Sequence, residues 1–423
     1  MAIDPLHEGE PERSLFARVR VDLRPLRRRD FRNLFVGQMV SGVGGAIGTV
    51  AVPYQVYKLT GSTALVGLLG LASLVPLLAV SLVGGAIADA LDRRTVALAS
   101  EVGMAAVAAL FLANSLLPHP QVWALFVLQA LAVGVFSLGR PAMSALPPRL
   151  VPESEFLAAS ALEGIYNSLA EVAGPPIGGL IIVAVGVPWT YGIDCATYAA
   201  SLLALWHLPS LPPLDDVERP SLRSIVAAFR FVRSRPELIG IFAIDTNAMV
   251  FGMPSALFPA IALHRLHGDA ATVGYLYGAP YAGALAGSLL SGWATRLRRQ
   301  GLGVTVAACA WGAAIAAFGF MTSLWPALVL LAVAGLADFY SAVLRSTMLL
   351  TVTPDHLRGR LFGIEWMQVA SAPSLGDLEA GVLASLTSLR FSVVSGGIAC
   401  VVGCAATALA LPRFLRYDAR PAA

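Results

Sequence analysis

Eleven ionisable side chains lie inside long apolar stretches of this chain: Glu101, Arg140, Glu163, Glu171, Asp194, Asp245, Asp338, Arg345, Glu365, Asp377 and Glu379. A charge in such surroundings is costly, so it is expected to be paired, turned toward water or used in function. The chemistry open to these groups is ion pairing and reversible proton binding. Arg345 and Glu365 stand at matching depth on neighbouring stretches, and Arg140 and Glu163 stand in nearly the same relation. That spacing predicts two pseudo-symmetric ion pairs, Arg140 with Glu163 and Arg345 with Glu365; for Arg140, reaching out to the membrane surface is an equal alternative. Asp245 and Asp338 have no basic residue within a helical turn. An isolated carboxylate in a low dielectric suits reversible protonation near neutral pH, and each proton moved is worth about 2.3 kcal/mol per 100 mV of potential. Asp338 and Asp245 are therefore the leading proton-coupling candidates. Glu163 and Glu171 follow, since with Asn167 they form a polar stripe at four-residue spacing on one helix face. A structural, hydrogen-bonding acid is the alternative at each position.

The stretches that must position these groups number about twelve and fill most of the 423 residues, of which 57% are hydrophobic and 13% charged. Crossing the hydrocarbon core takes about 20 apolar residues, and runs such as Leu65 to Ala88, Val122 to Met143 and Val304 to Met321 supply or approach that length. Such a composition excludes a soluble protein. Arginines occupy every second gap: the N-terminal tail up to Arg32, then Arg93 and Arg94, Arg149, Arg219 to Arg235, Arg296 to Arg299, Arg358 and Arg360, and the tail from Arg413. The opposite gaps hold little beyond Lys58, Arg265 and Arg390. Because basic residues are retained on the cytoplasmic side, both termini are expected there and the span count is even. The same rule explains the basic clusters without nucleic acid, and the net charge of +3 adds nothing in its favour. No cleavable signal peptide is expected, because the first thirty residues are polar.

The expected organisation is a cytoplasmic tail over 1–32, six spans over 33–208, a linker over 209–236, six spans over 237–411 and a tail over 412–423. The linker opens with Pro209, Pro212 and Pro213, which break a helix. It then repeats Leu222, Ile225, Val226, Phe229 and Val232 at helical spacing among arginines, the pattern of an amphipathic helix lying on a membrane surface. The halves echo each other: a shift of 202 residues places Pro152 on Pro354, Glu163 on Glu365, Gly174 on Gly376 and Gly179 on Gly381. Four matches in one register argue for a duplicated unit, the mark of a repeat-built transporter. Cys195, Cys309, Cys400 and Cys404 all lie in apolar stretches, where packing is the expected role. No metal centre, cofactor, nucleotide loop or catalytic nucleophile is expected, so an enzyme is not.

Several motifs resemble the major facilitator superfamily. After the second span, Gly85, Asp89, Arg93 and Arg94 follow that superfamily's spacing, with Asp92 where many members carry glycine. The fifth span ends in Gly174-Pro175-Pro176-Ile177-Gly178-Gly179, similar to an element associated with exporters that exchange substrate for protons. Ala170 stands where a further glycine is often found, and Gln129 where drug/proton antiporters carry arginine. Val50-Ala-Val-Pro53-Tyr-Gln55, Gly274-Tyr-Leu-Tyr-Gly278 and Thr353-Pro-Asp-His-Leu-Arg-Gly-Arg360 look like the branch of enterobactin-exporter-like proteins, over nearly the whole chain.

The resemblance implies an all-α membrane protein with twelve transmembrane helices in two pseudo-symmetric six-helix bundles about a central cavity lined by helices one, four, seven and ten. It implies that Gly85, Asp89, Arg93 and Arg94 form a latch joining helix two to helix eleven in the outward-facing state. Tyr54, Asn167, Tyr281 and Trp366 are the cavity candidates, stacking on a substrate or simply packing. Glu101 and Asp194 fall on outer helices, where a structural role is expected. The implied function is a secondary active exporter of a small amphipathic metabolite such as a siderophore, in exchange for protons, by rocker-switch alternating access. A multidrug/proton antiporter is the alternative, ahead of a proton-driven importer or a non-transporting scaffold. The expected partners are a small-molecule substrate, protons and membrane lipid, and the expected setting is a monomer in a bacterial inner membrane.

Overall fold

A chain crossing lipid must satisfy its own backbone polar groups, so long apolar runs can only become helices. The computed structural model describes residues 22–211, 222–292 and 297–418, with the backbone alone over 81–90, 222–227 and at 356. Its main helices are α1 (Arg29–Gly48), α2 (Ala51–Thr60), α3 (Thr63–Ala90), α4 (Arg93–Ser115), α5 (Val122–Ser144), α6 (Phe156–Val185) and α7 (Val187–Trp206) in the first half. The second half has α8 (Leu222–Ser234), α9 (Pro236–Phe251), α10 (Ala270–Leu289), α11 (Gln300–Phe318), α12 (Leu324–Val352), α13 (Asp355–Leu386) and α14 (Leu389–Ala410). α1 and α2 form one span, Arg29–Thr60, interrupted at Thr49 and Val50, and α8 is the amphipathic helix.

Among the described residues nine helical segments are long and apolar enough to cross a membrane by composition alone. α7, α10 and α13 complete the twelve. α10 is rich in glycine and alanine and α13 carries Glu365, Asp377 and Glu379, which lowers their mean hydropathy. α10 and α13 are also the helices by which the second half meets the first, so much of their surface faces protein instead of lipid.

The packing repeats between halves. α1 packs on α6 and α7, α3 on α5, and α4 on α5 and α7; α9 packs on α13 and α14, α10 on α12, and α11 on α12 and α14. Two junctions, α3 with α13 and α6 with α10, join the bundles. Both are tightest on the face away from the chain ends. A Cβ on Gly67 would lie 2.4 Å from the Asp377 carbonyl oxygen, and one on Gly70 2.6 Å from that of Ser374. On the other junction a Cβ on Gly179 would lie 2.3 Å from the Ala270 carbonyl, and one on Gly274 2.3 Å from that of Pro175. Backbone cannot move aside as a side chain can, so only glycine fits at these crossings. Thr63 Oγ1 adds a hydrogen bond to the Gly381 carbonyl at 3.1 Å, and the Tyr57 and His264 rings meet edge to face across the bundles. Toward the opposite face, a Cβ on Gly164, Gly359 or Gly363 would meet nothing within 4 Å. The bundles thus converge at the far face and diverge toward the near face, which bears both chain ends.

The seventh span is discontinuous. α9 stops at Phe251 before Gly252 and Pro254, and the chain resumes in short helical segments over 255–265. Three helices satisfy the freed backbone groups: Trp311 Nε1 of α11 donates to the Gly252 carbonyl at 2.9 Å, Tyr277 Oη of α10 donates to the Ser255 carbonyl at 3.0 Å, and Asp377 of α13 accepts from the Ala256 N–H at 2.8 Å. A break at membrane depth is stable only when neighbours take up its polar groups in this way.

Candidate functional site

The second bundle builds a buried polar cluster from three helices. Asp245 of α9 and Arg345 of α12 are 3% and 5% exposed, and Arg345 Nη1 meets Asp245 Oδ1 at 2.5 Å. Gln368 of α13 donates from Nε2 to Asp245 Oδ2 at 3.0 Å and to the Phe242 carbonyl at 2.9 Å, while Arg345 Nη1 also donates to Ser341 Oγ at 3.2 Å. These bonds offset the desolvation that makes a bare buried pair unfavourable. Asp245 is therefore not the isolated carboxylate that its sequence neighbourhood predicts. Nor does Arg345 pair with Glu365, which instead accepts Ser346 Oγ at 3.4 Å and lies within electrostatic range of Arg345. Matching depth fixes height along the membrane normal, but the azimuth of each helix selects the partner, and α9 presents Asp245 to Arg345 directly. Asp338, two turns before Arg345 on α12, lies within electrostatic range of both members of the pair.

Across the cavity the first bundle contributes Arg140 and Phe136 of α5 and Tyr166, Asn167 and Glu171 of α6. Arg140 makes no ion pair with Glu163; its guanidinium stacks on Trp366 of α13, 4.1 Å from the ring centroid, and lies 5.5 Å from that of Phe136. The contact spans the two bundles, and aromatic faces of this kind hold a cation in place of a carboxylate. Arg140 is within electrostatic range of Tyr166 and Glu171, and Tyr281 of α10 is within range of both Glu171 and Asp338. Asn167 and Glu171 are exposed, and Tyr281 and Trp366 are 39% and 50% exposed. Glu171, Tyr281, Asp338 and Trp366 thus gather where the halves face each other, with Glu163 two stripe positions beyond Glu171 toward the open face.

Other expected residues fall elsewhere. Tyr54 is buried at the far face, with Lys58 Nζ 5.8 Å from its ring centroid, so it belongs to the closure and not to the open cavity. Gly85 and Asp89 are described by their backbone alone, so the Asp89 carboxylate is not placed. Arg94 donates to the Leu205 and Trp206 carbonyls at 2.9 and 2.6 Å, capping α7 within its own bundle. Asp92 accepts from the Thr95 and Leu211 N–H groups at 2.9 and 2.7 Å and from Ser210 Oγ at 2.6 Å, and the Arg93 N–H donates to the Leu211 carbonyl at 3.2 Å. Gly174 and Gly178 press α6 onto Ala46 and Ile47 of α1 while Gly179 and Pro175 meet α10, so the fifth-span motif joins three helices at the far closure. Gln368 and Trp311 carry no sequence signal, because an amide and an indole in apolar runs read equally well as lipid-facing.

Two mirrored six-helix bundles, joined by two glycine-lined junctions around a cavity with buried charges, define a membrane transporter of the major facilitator type. The chain belongs to the transmembrane secretion effector family of that superfamily, whose family model matches residues 21–423. It is 34% identical over 376 residues to the enterobactin exporter EntS of Citrobacter koseri, covering 88% of this chain and 90% of that protein. The enterobactin exporter EntS of Shigella boydii is 33% identical over the same shares. Among solved structures, the fold matches a bacterial homologue of the human lysosomal transporter Spinster in an inward-facing, unoccupied conformation, with TM-score 0.73, 15% identity and coverage of 94% of this chain and 100% of that one. It also matches the nucleoside transporter NupG, with TM-score 0.71, 12% identity and coverage of 92% and 100%.

Proposed function

We propose that this transporter exports a small amphipathic metabolite of the siderophore class across the bacterial inner membrane in exchange for protons. In this reading both termini are cytoplasmic, as the arginine distribution requires, and the open near face is the cytoplasmic one. The observation that carries it is Asp338 two helical turns from Arg345 and within electrostatic range of the Asp245–Arg345 pair, on the side of the bundle where Tyr281 and Trp366 are partly exposed. Asp338 shares the field of one arginine with Asp245, so a proton on Asp338 changes how much of that positive charge is free to meet a substrate. A ligand with aromatic rings and polar edges finds stacking surfaces on Trp366 and Tyr281 and a cation at Arg140. The similarity to exporters named for enterobactin supports a metabolite of that class. The aromatic lining also favours a broader multidrug reading. Against it, Gln129 replaces the antiporter arginine and is engaged with Ser73 Oγ at 3.2 Å within the first bundle.

The test uses inside-out membrane vesicles with an acidified lumen, adding catechol siderophores or lipophilic drugs and following collapse of the proton gradient. Collapse by a siderophore with the native protein but not with Asp338→Asn supports the proposal. Collapse by drugs alone replaces the substrate, and labelled siderophore uptake without any proton movement refutes the coupling.

A further inference from the structure

We infer that Asp377 of α13 is a positioning residue of the far-face closure: its carboxylate fixes the resumed half of the seventh span to α13, and the two together form the surface on which α3 of the other bundle seats. Asp377 Oδ1 accepts hydrogen bonds from Ser255 Oγ at 2.5 Å and from the Ala256 N–H at 2.8 Å. The segment that opens at Ser255 follows Pro254 and has no side-chain cap of its own, so Asp377 supplies from another helix the acceptor that its first N–H groups need. The same residue meets the first bundle through its backbone. A Cβ on Gly67 of α3 would collide with the Asp377 carbonyl oxygen, and one on Gly70 would come 3.2 Å from the Asp377 Cβ. The Ser255–Leu257 turn packs against α3 and α13 alike. One residue thereby joins the broken span, its own helix and the opposite bundle.

The mirrored junction shows that seating alone needs no acid. The 202-residue register that relates the halves places Pro175 on Asp377, and the Pro175 carbonyl meets Gly274 of α10 as the Asp377 carbonyl meets Gly67 of α3. A proline backbone suffices for that contact, whereas the carboxylate stands on the side where a broken span must be held. Tyr277 Oη donates to the Ser255 carbonyl at 3.0 Å, and the Tyr277 ring meets Phe258 edge to face. Without the Asp377 carboxylate the turn keeps this anchor on α10 and loses the one on α13. The surface under α3 then loosens while the bundle persists, and the closed far face loses stability relative to the open one. The inference rests on alternating access, but on neither the proposed substrate nor the role of Asp338.

The experiment measures thiol-labelling rates of full-length protein in lipid nanodiscs, without transport, above the background of the four native cysteines. Ala270→Cys reports the far face, since Ala270 is 1% exposed at the α6–α10 junction, and Gly164→Cys reports the open near face. Asp377→Ala should speed labelling of Ala270→Cys by about tenfold or more, the weight of one hydrogen bond to a charged acceptor, and leave Gly164→Cys no faster. Asp377→Asn keeps an acceptor oxygen for the Ala256 N–H and should fall between native and Asp377→Ala. Gly67→Val prevents α3 from seating whatever residue 377 is, so it should expose Ala270→Cys as well. Exposure by Gly67→Val but not by Asp377→Ala overturns the inference; exposure by neither overturns it together with alternating access. Faster labelling of both reporters in Asp377→Ala means general loosening and also overturns it. Should Asp377→Ala fail to insert, Ser255→Ala removes one of the two bonds and decides between the same outcomes.

Discussion

Replacing Asp245 with alanine leaves the Arg345 guanidinium buried at 5% exposure, with Ser341 Oγ the hydrogen-bond acceptor that remains to it. Removing one partner of a buried pair costs about 3–5 kcal/mol, because the remaining charge is left uncompensated, whereas removing both is often close to neutral. Gln368 loses an acceptor as well but keeps the Phe242 carbonyl, so its share is smaller, about 1 kcal/mol. Asp245→Ala should therefore destabilise the protein by about 3–5 kcal/mol, and adding Arg345→Met should recover most of that loss. The assay is a double-mutant cycle by denaturant unfolding in mixed micelles, read by tryptophan fluorescence. Arg345→Met alone strands Asp245 at a similar cost, so a coupling energy of about 4 kcal/mol or more is expected, above the usual range for residues in contact. Additivity of the two substitutions to within about 0.5 kcal/mol would mean that the pair does not act as a unit, and the description of the second bundle's core would fail with it.

Trp311→Phe removes the donor to the Gly252 carbonyl at the break of the seventh span and should cost about 1–3 kcal/mol by the same unfolding assay, more than Phe at a lipid-facing tryptophan such as Trp325. Gly274→Val drives a side chain into the Pro175 backbone, so the far-face junction should open; faster thiol labelling of a cysteine placed at Thr63 than in the native background would show it. Trp366→Leu removes the aromatic face under Arg140 and should weaken binding of an aromatic substrate by about 0.5–2 kcal/mol, measured by equilibrium binding to purified protein. For Asp92, partial burial raises the pKa but the hydrogen bonds from Ser210, Thr95 and Leu211 outweigh it, holding the carboxyl below its ordinary value. Its contribution is then complete above the ordinary aspartate range and lost as pH falls through that range toward the lower folded value. Asp92→Asn should flatten that part of the thermal-stability profile, and an unchanged acid limb would contradict the assignment.

The helices and their number were legible because hydropathy and arginine placement are one-dimensional properties of a membrane chain. The mirrored packing was legible for the same reason: the register that superposes Gly174 on Gly376 and Gly179 on Gly381 marks positions that press α6 and α13 onto their neighbours in both halves. Partner choice was not legible. Arg345 and Glu365 share a depth, yet Asp245 wins the arginine because helix rotation, set by packing across three helices, decides which acid faces it. The same ambiguity hid the cation–π contact of Arg140, since Trp366 belongs to the other bundle and no spacing rule relates them. Tyr54 lies buried at the far face because depth along the first span, which spacing alone does not resolve, decides whether it meets the cavity or the closure. Nor was the contact of Arg94 with the Leu205 and Trp206 carbonyls legible, since it depends on which neighbouring helix end the guanidinium reaches.

The most direct test of the account is uphill movement of a labelled catechol siderophore into inside-out proteoliposomes under an imposed proton gradient, with native protein and Asp338→Asn side by side. Native protein alone should accumulate the siderophore above the equilibrium level, with Asp338→Asn still exchanging labelled for unlabelled substrate but accumulating none. Equal accumulation by both proteins, or accumulation by the native protein that persists when the proton gradient is abolished, would contradict it.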